Sequence, residues 1–289
     1  MNLTSRPGSF LEFIPLMSLA FEEYTPDTLP YHLIVPSIPG YAFSSGPPKD
    51  TNFDVSNASR ILDKLMANLG FGDGYVATGG DIGSSVARIL AAQYDSCKAM
   101  QTNFCAMREP PASVAEESLS EHDRQLIQRG KTFMATGAAY AMEHGTRTST
   151  IGHVLSSNPL ALLAWIGEKY LEWSDEDPSL DTILEAISLY WFTETIPRCL
   201  YPYRQNFEGV QYRANTPGLY VKKPFGYSLF PKEISPSPKS WVETTGTLSF
   251  FRQHEAGGHF AALERPADMK KDMEEFLQHV IERGVKFSA

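Results

Sequence analysis

The chain has 289 residues, enough for one α/β domain that carries an insertion. A formal net charge of -9 without a basic run argues against nucleic-acid and anionic-membrane partners. No segment approaches the ~18 apolar residues of a membrane-spanning helix, the N-terminus lacks a signal-peptide pattern, and three cysteines without a paired spacing favour a reducing compartment. We therefore expect a cytoplasmic protein without nucleic-acid or membrane partners.

The first third of the chain alternates between helical and strand patterns. Apolar residues recur at helical spacing before and after a short β-branched run, and turn residues separate the segments. We predict helices over residues 10–21 and 58–69 and strands over residues 32–36, 75–77 and 97–103. This alternating order predicts parallel strand pairing with crossover helices.

After this alternation, the pattern from Met107 to about residue 215 is almost entirely helical. Strand patterns return over residues 219–221, 226–230 and 247–251, and a last helix is predicted over residues 273–281. We therefore predict a core formed by residues 1–106 and 216–289, with residues 107–215 forming a helical cap over the carboxyl ends of the strands.

The predicted strand at 75–77 leads into Gly79-Gly80-Asp81-Ile82-Gly83, followed at once by a helical pattern. Small residues on both sides of one reactive side chain are typical of a nucleophile elbow, because the tight turn leaves no room for Cβ atoms. A carboxylate at a helix N-terminus is held in its ionised, nucleophilic form. Asp81 is thus a candidate nucleophile, and the alternative is that it only caps the helix.

A nucleophile elbow expects an acid and then a histidine further along the chain. His259 follows the last predicted strand within Gly257-Gly258-His259-Phe260. Glu233, which ends the predicted strand segment 225–232, is the best candidate for the acid, with Glu243 and Glu255 as weaker ones. The spacing of His254 and His259 does not fit a zinc-protease helix, so we expect no metal and no cofactor.

Four motifs in this chain resemble the epoxide hydrolases of the α/β-hydrolase superfamily, especially the soluble fungal enzymes related to the microsomal type. These motifs are Pro7-Gly8-Ser9-Phe10-Leu11-Glu12-Phe13, Pro36-Ser37-Ile38-Pro39-Gly40-Tyr41, the elbow at 79–83 and the run from Gly257 to Pro266. The resemblance implies an α/β-hydrolase fold: a mostly parallel sheet, helices on both faces and an inserted helical cap.

The same resemblance implies roles for six residues. Asp81 would be the nucleophile, His259 the general base, Glu233 the acid that orients it, and the Ile82 backbone N–H an oxyanion donor. Tyr140 and Tyr203 would donate a proton to the epoxide oxygen, with Tyr201 as the nearest competitor of Tyr203. The implied partners are a small apolar epoxide and water, and a homodimer is possible because family members often dimerise.

The N-terminus departs from the family pattern. The family's His-Gly-Trp-Pro-Gly turn is Thr4-Ser5-Arg6-Pro7-Gly8 here, and the strands that normally precede it are reduced to Met1-Asn2-Leu3. We therefore expect the N-terminal strands of the sheet to be missing, with unpaired backbone groups beside the nucleophile strand. An epoxide-opening cyclase and a truncated, inactive homologue stay open as alternatives, whereas haloalkane dehalogenation is disfavoured because Ile82 occupies the position of its halide-binding tryptophan.

Overall fold

The structure is a computed structural model that describes residues 1–3, 8–48, 50–107, 109–205 and 214–287. Its strands are β1 (Asn2–Leu3), β2 (Tyr75–Gly79), β3 (Cys97–Thr102), β4 (Val221–Leu229) and β5 (Gly246–Gln253). Its helices are α1 (Ile14–Glu23), α2 (Val55–Met66), α3 (Asp81–Gln93), α4 (Glu121–Thr136), α5 (Ala139–Thr146), α6 (Thr148–Ser157), α7 (Pro159–Trp173), α8 (Leu180–Phe192), α9 (Tyr201–Arg204), α10 (Lys239–Val242), α11 (Ala261–Glu264) and α12 (Pro266–Glu282). Within the described ranges, no helix is long and apolar enough to cross a membrane.

The described strands form one five-stranded sheet in the order β1-β2-β3-β4-β5, and every neighbouring pair is parallel. Since parallel strands end at the same edge, the segments that follow β2, β4 and β5 meet at the carboxyl side of the sheet. Those segments contain Asp81, Glu233 and His259. The topology therefore gathers the candidate residues from three distant parts of the chain.

Helices cover both faces of this sheet. On one face, the buried Met100 of β3 packs in the same core cluster as Val86 and Ile89 of α3. On the other face, the adjacent Ala99 packs with Phe250 and with Phe276 of α12. Side chains alternate between the two faces of a strand, so neighbouring β3 residues anchor separate cores. The predicted α/β-hydrolase fold with helices on both faces is confirmed.

All of the helices between β3 and β4, from α4 to α9, lie in the segment that was predicted to be helical. Their buried residues, including Leu126, Ile166 and Tyr190, join the core cluster that contains α3. The cap is therefore packed onto the sheet domain by apolar contacts. Its exact division from the core, at 106/107 and 215/216, stays a prediction.

One expectation about the N-terminal half is wrong. Residues 32–36 form no strand, and the Asn2 N–H of β1 donates a hydrogen bond to the Ile34 carbonyl (2.8 Å). Beside β2, Thr78 and Gly79 pair with Asn2 and Leu3 of β1, so the expected unpaired backbone is absent at these two described positions, while the loss of N-terminal strands stays a prediction. The backbone N–H of Thr78 also donates to the Met1 carbonyl (2.7 Å). The predicted turn at residues 4–8 lies, except for Gly8, outside the described residues.

Two differences concern strand boundaries near the predicted acid. The predicted strand segments 219–221 and 226–230 overlap the two ends of one strand, β4, which starts at Val221 and continues to Leu229. The segment 225–232 therefore ends as a strand three residues early, and Glu233 lies in the turn that follows β4. The three cysteines, whose spacing predicts no paired framework, are free and buried.

Candidate active site

The turn between β2 and α3 is a strained elbow centred on Asp81. This residue has a φ of +46°, a left-handed conformation that side chains other than glycine rarely adopt. A Cβ on Gly79 would lie 2.2 Å from the Gly83 carbonyl oxygen, and a Cβ on Gly83 would lie 2.4 Å from the Leu3 carbonyl oxygen. Both positions must therefore be glycine. This close approach of the backbone places Asp81 at the first residue of α3, where the helix N–H groups stabilise a negative charge.

His259 lies between two carboxylates. Its Nδ1 and Glu233 Oε1 form a hydrogen bond of 2.7 Å, and its Nε2 lies 3.6 Å from Asp81 Oδ2. Glu233 is fully buried, and its Oε1 also accepts a hydrogen bond from the Ile234 backbone N–H (2.6 Å). The bond to Glu233 fixes the imidazole so that Nε2 faces Asp81. The candidate nucleophile, acid and histidine, which follow one another in that order along the sequence, thus form a continuous chain of contacts with His259 between the two carboxylates.

The charges around His259 change its protonation. Burial disfavours the imidazolium, but the carboxylates of Glu233 and Asp81 outweigh burial and raise the pKa of His259 well above its usual range. The imidazolium is therefore the stable form while both carboxylates are ionised. Loss of the negative charge of Asp81 would remove part of this effect and lower the pKa of His259.

Edge-to-face contacts with aromatic rings hold the His259 ring. Its centroid lies 5.2 Å from that of Trp173 and 5.6 Å from that of Phe104, both nearly perpendicular to it. Trp173 ends α7, and Phe104 follows β3. The imidazole is thus enclosed by apolar rings from both the sheet domain and the helical insertion, which strengthens its electrostatic contacts with the carboxylates.

The two predicted tyrosines lie together in the helical segment. Tyr140 of α5 and Tyr203 of α9 pack edge to face with centroids 6.0 Å apart. The ring of buried His144 contacts both, at 5.3 Å and 4.7 Å, and its Nε2 accepts a hydrogen bond from Trp165 Nε1 (3.0 Å). Through these contacts, His144 packs the two phenol rings against each other.

One cavity of about 960 Å³ lies between the helical segment and the sheet, and its wall includes Asp81, Ile82, Tyr140 and Tyr203. Much of the remaining wall is apolar, contributed by Met100, Phe104, Met107, Ile127, Phe133 and Met134. The predicted carboxylate and the two predicted phenols therefore border a common space. This space suits an apolar molecule that meets polar groups at a few points.

A second, small cavity of about 20 Å³ lies on the other side of Asp81. Its wall includes Asp81 and His259 together with the polar side chains of Glu12, Thr78 and Asn103. A cavity needs roughly 10–15 Å³ and several polar partners to hold one water molecule. This cavity therefore has the size and polarity for a single water beside both Asp81 and His259.

The alternative candidates lie away from this arrangement. Glu243 forms an ion pair with Lys239 (3.5 Å), and Glu255 is exposed on the loop before His259. The ring of Tyr201 packs under the Arg204 guanidinium, 4.9 Å from the ring centroid, and Tyr201 is absent from the described wall of the large cavity. The geometry therefore favours Glu233 over the other acids and Tyr203 over Tyr201.

Several residues that contact the site carried no predicted role. Trp173 and His144 pack against the predicted groups, and Glu264 accepts hydrogen bonds from the His259 loop. Glu264 belongs to the motif from Gly257 to Pro266, so its position was visible in the sequence. The contacts of Trp173 and His144 depend on packing between distant segments and leave no local pattern.

An elbow at the carboxyl end of a parallel strand, under inserted helices, defines a protein of the α/β-hydrolase fold. The family model for the alpha/beta hydrolase fold matches residues 3–110. The crystal structure of Aspergillus niger epoxide hydrolase superimposes with a TM-score of 0.92 at 55% identity, covering 96% of this chain and 71% of that one. Epoxide hydrolase 1 of Sus scrofa is 31% identical over 94% of this chain and 66% of its own length.

The chain belongs to the epoxide hydrolase family. A Dothistroma septosporum protein named as an epoxide hydrolase is 46% identical to this chain over 273 residues. That match covers 94% of this chain but 64% of the Dothistroma protein, so the chain spans less than two thirds of the length of that relative.

Proposed function

We propose that the chain is an epoxide hydrolase that converts a small apolar epoxide into a vicinal diol through a covalent ester on Asp81. One observation carries the proposal. Asp81 shares a cavity with Tyr140 and Tyr203 on one side and contacts the His259–Glu233 pair on the other. This arrangement offers a nucleophile, two proton donors and a base to one bound molecule.

In the first step, an oxygen of the Asp81 carboxylate attacks an epoxide carbon and the carbon–oxygen bond of the ring breaks. The epoxide oxygen is a poor leaving group as an alkoxide, so it needs a proton donor. Phenols with an ordinary pKa near 10 are protonated at neutral pH and can release a proton as charge develops. Tyr140 and Tyr203 supply this proton from the helical side of the cavity, and the product of this step is an ester on Asp81.

In the second step, water attacks the carbonyl carbon of the ester while His259 Nε2 accepts its proton. Esterification has removed the negative charge of Asp81, so the pKa of His259 falls and its imidazolium proton is released to reprotonate the tyrosine that donated in the first step. The neutral imidazole is then available as a base. The Ile82 backbone N–H, in the first turn of α3, stabilises the tetrahedral oxyanion, and Glu233 stabilises the imidazolium. Collapse releases the diol and restores the carboxylate.

The small cavity favours hydrolysis over the cyclase alternative. A cyclase would use a hydroxyl group of its own substrate and needs no water beside the nucleophile. Here a space of about 20 Å³ bordered by Asp81 and His259 suits one water, and Glu12 also lines it. Every step of the proposed hydrolysis uses side-chain and backbone groups of the chain, so the proposal includes no metal or cofactor.

Product analysis tests the proposal. We expect the purified chain to turn over styrene oxide to its diol and, in water enriched in heavy oxygen, to incorporate one solvent oxygen per diol over many turnovers. A cyclic ether without solvent oxygen from a hydroxy-epoxide, with no diol from styrene oxide, would favour the cyclase. Absence of any turnover by the folded protein would favour the inactive homologue.

The predictions of cytoplasmic localisation and of a homodimer remain part of this proposal. The free, buried cysteines support a reducing compartment. Sedimentation of the purified chain would test the dimer.

A further inference from the structure

The loop that carries His259 is held in place by the Glu264 carboxylate. Glu264 Oε2 accepts hydrogen bonds from the backbone N–H groups of Asp175 (2.6 Å) and Gly258 (3.1 Å), and its Oε1 accepts one from Phe260 N–H (3.0 Å). Two of these donors flank His259 directly. A single carboxylate thus binds the chain immediately before and immediately after the predicted base.

The third donor, Asp175, links this loop to the end of α7. Asp175 Oδ2 accepts a hydrogen bond from Gly257 N–H (2.9 Å), and the Trp173 carbonyl accepts one from the N–H of His259 itself (2.9 Å). The N–H groups at 257–260 therefore all donate to Glu264 or to the segment Trp173–Asp175. We call these two acceptors together the loop clamp.

The sequence around His259 is adapted to the loop clamp. A Cβ on Gly258 would lie 2.5 Å from the Trp173 carbonyl oxygen and 2.9 Å from the Asp175 nitrogen. Gly257 has a φ of +108°, a conformation that other residues rarely adopt. Gly258 is thus required by the close approach of the loop to the end of α7, and Gly257 by its backbone conformation. This approach presents the N–H groups to Glu264 and directs the imidazole toward Glu233 and Asp81.

We propose that Glu264 is a positioning residue for His259, and that through the loop clamp it serves the ester-hydrolysis step. The inference rests on the proposed function. Attack of Asp81 on the epoxide requires the carboxylate and the tyrosines, none of which contacts Glu264 in the described hydrogen bonds. Hydrolysis of the ester requires the imidazole to reach the water near Asp81. Loosening the loop should therefore slow hydrolysis and leave ester formation nearly unchanged.

The test measures the two half-reactions separately in the full chain. Enzyme in excess is mixed with styrene oxide, quenched at intervals and weighed as intact protein, so that ester formation and decay are followed together. A misplacement of about 1 Å can reduce a catalytic step by about 100-fold. Glu264→Gln replaces the carboxylate with a neutral amide that has one acceptor oxygen. We expect ester hydrolysis to slow by about 10- to 100-fold and ester formation to change little, so that the ester accumulates.

Asp268→Asn is the matched control, because Asp268 pairs with Arg265 (2.9 Å) one turn beyond Glu264 and lies outside the loop clamp. Asp268→Asn should form and hydrolyse the ester at the rates of the parent. If Glu264→Gln fails to fold, Asp175→Ala removes the acceptor of Gly257 N–H alone and should give the same selective slowing to a smaller degree.

Four outcomes overturn the inference. Equal slowing of both steps, or a lowered melting temperature with unchanged rates, would make Glu264 a structural residue only, while the proposed function would stand. A Glu264→Gln variant that forms and hydrolyses the ester at the rates of the parent would likewise leave Glu264 without a positioning role, while the proposed function would stand. If the parent and every variant form no ester and no diol, the proposed function fails and this inference fails with it.

Discussion

The two sides of the large cavity are held in place by different kinds of contact. On the sheet side, directional hydrogen bonds and ion pairs fix Asp81, His259 and Glu233, with Nδ1 of His259 at 2.7 Å from Glu233. On the helical side, ring packing aligns Tyr140 and Tyr203, whose centroids lie 6.0 Å apart. Hydrogen bonds lose strength steeply with misalignment, whereas ring packing tolerates small shifts. We infer that the sheet side fixes the chemistry and the helical side adapts to the shape of the epoxide.

The largest effect should come from the nucleophile on the sheet side. Asp81→Asn keeps the shape of the side chain but removes the attacking charge. Loss of a nucleophile in an enzyme that forms a covalent intermediate costs about 10⁴-fold or more. We expect diol formation from styrene oxide to fall by that order, with no ester detected by mass spectrometry. A folded Asp81→Asn variant as fast as the parent would contradict the nucleophilic role.

The base should give the next largest effect, with a different signature. His259→Gln leaves Asp81 and the tyrosines intact, so the epoxide should still open and alkylate the protein. General-base catalysis contributes about 10²- to 10⁴-fold, and the ester should therefore accumulate stoichiometrically while diol release slows by that factor. Equal loss of alkylation and hydrolysis would show that His259 is not specific to the second step.

The two tyrosines on the helical side should both donate to the epoxide oxygen. Removal of either one should therefore reduce the rate less than loss of the nucleophile or the base. Removing one donor to a developing oxyanion costs about 10²-fold or more when that donor acts alone. With a second phenol present, we expect Tyr140→Phe and Tyr203→Phe each to slow ester formation by at most about 10²-fold, and the double variant to lose more than either.

Tyr201→Phe is the control for the tyrosine pair, because its ring lies under Arg204. It should keep the rates of the parent. If Tyr201→Phe slowed ester formation as much as Tyr203→Phe, the assignment of the second proton donor would be wrong.

The smallest expected effect is a change in the pKa of His259, measured in the absence of substrate. The carboxylates of Asp81 and Glu233 oppose the effect of burial and hold the pKa of His259 above its usual range. Asp81→Asn removes one of these charges, so the pKa of His259 should fall, as measured by an NMR titration of its ring protons. The Asp268→Asn variant should leave this titration unchanged. A pKa that stays the same or rises in Asp81→Asn would contradict the link between esterification and base activation.

The sequence alone predicted most of the sheet-side residues, because their signals are local. The glycines around Asp81 indicate a tight turn, and the positions of Glu233 and His259 after strand patterns place them at one edge of a parallel sheet. Tyr140 and Tyr203 came only from the family resemblance, since tyrosines at helical spacing are usually packing residues. The choice between Tyr201 and Tyr203 needs the direction in which each ring leaves the short helix α9.

Other features could not be predicted from local patterns. The run from His32 to Pro36 has strand-forming residues, but a strand also needs a paired neighbour, and within the described residues Asn2 of β1 donates one backbone hydrogen bond there. The loop clamp joins Glu264 to Asp175, residues 89 positions apart, through backbone N–H groups that no side-chain pattern encodes. Pairing of Leu3 with Gly79 likewise depends on contact between distant segments.

The covalent ester on Asp81 is the central claim, and a single turnover in water enriched in heavy oxygen tests it most directly. With enzyme in excess over styrene oxide, the oxygen added to the epoxide carbon comes from the carboxylate, and water then attacks the ester carbonyl. We therefore predict an unlabelled diol and heavy oxygen in the peptide that contains Asp81. A labelled diol from the first turnover, with an unlabelled Asp81 peptide, would mean that water attacks the epoxide directly and would contradict the account.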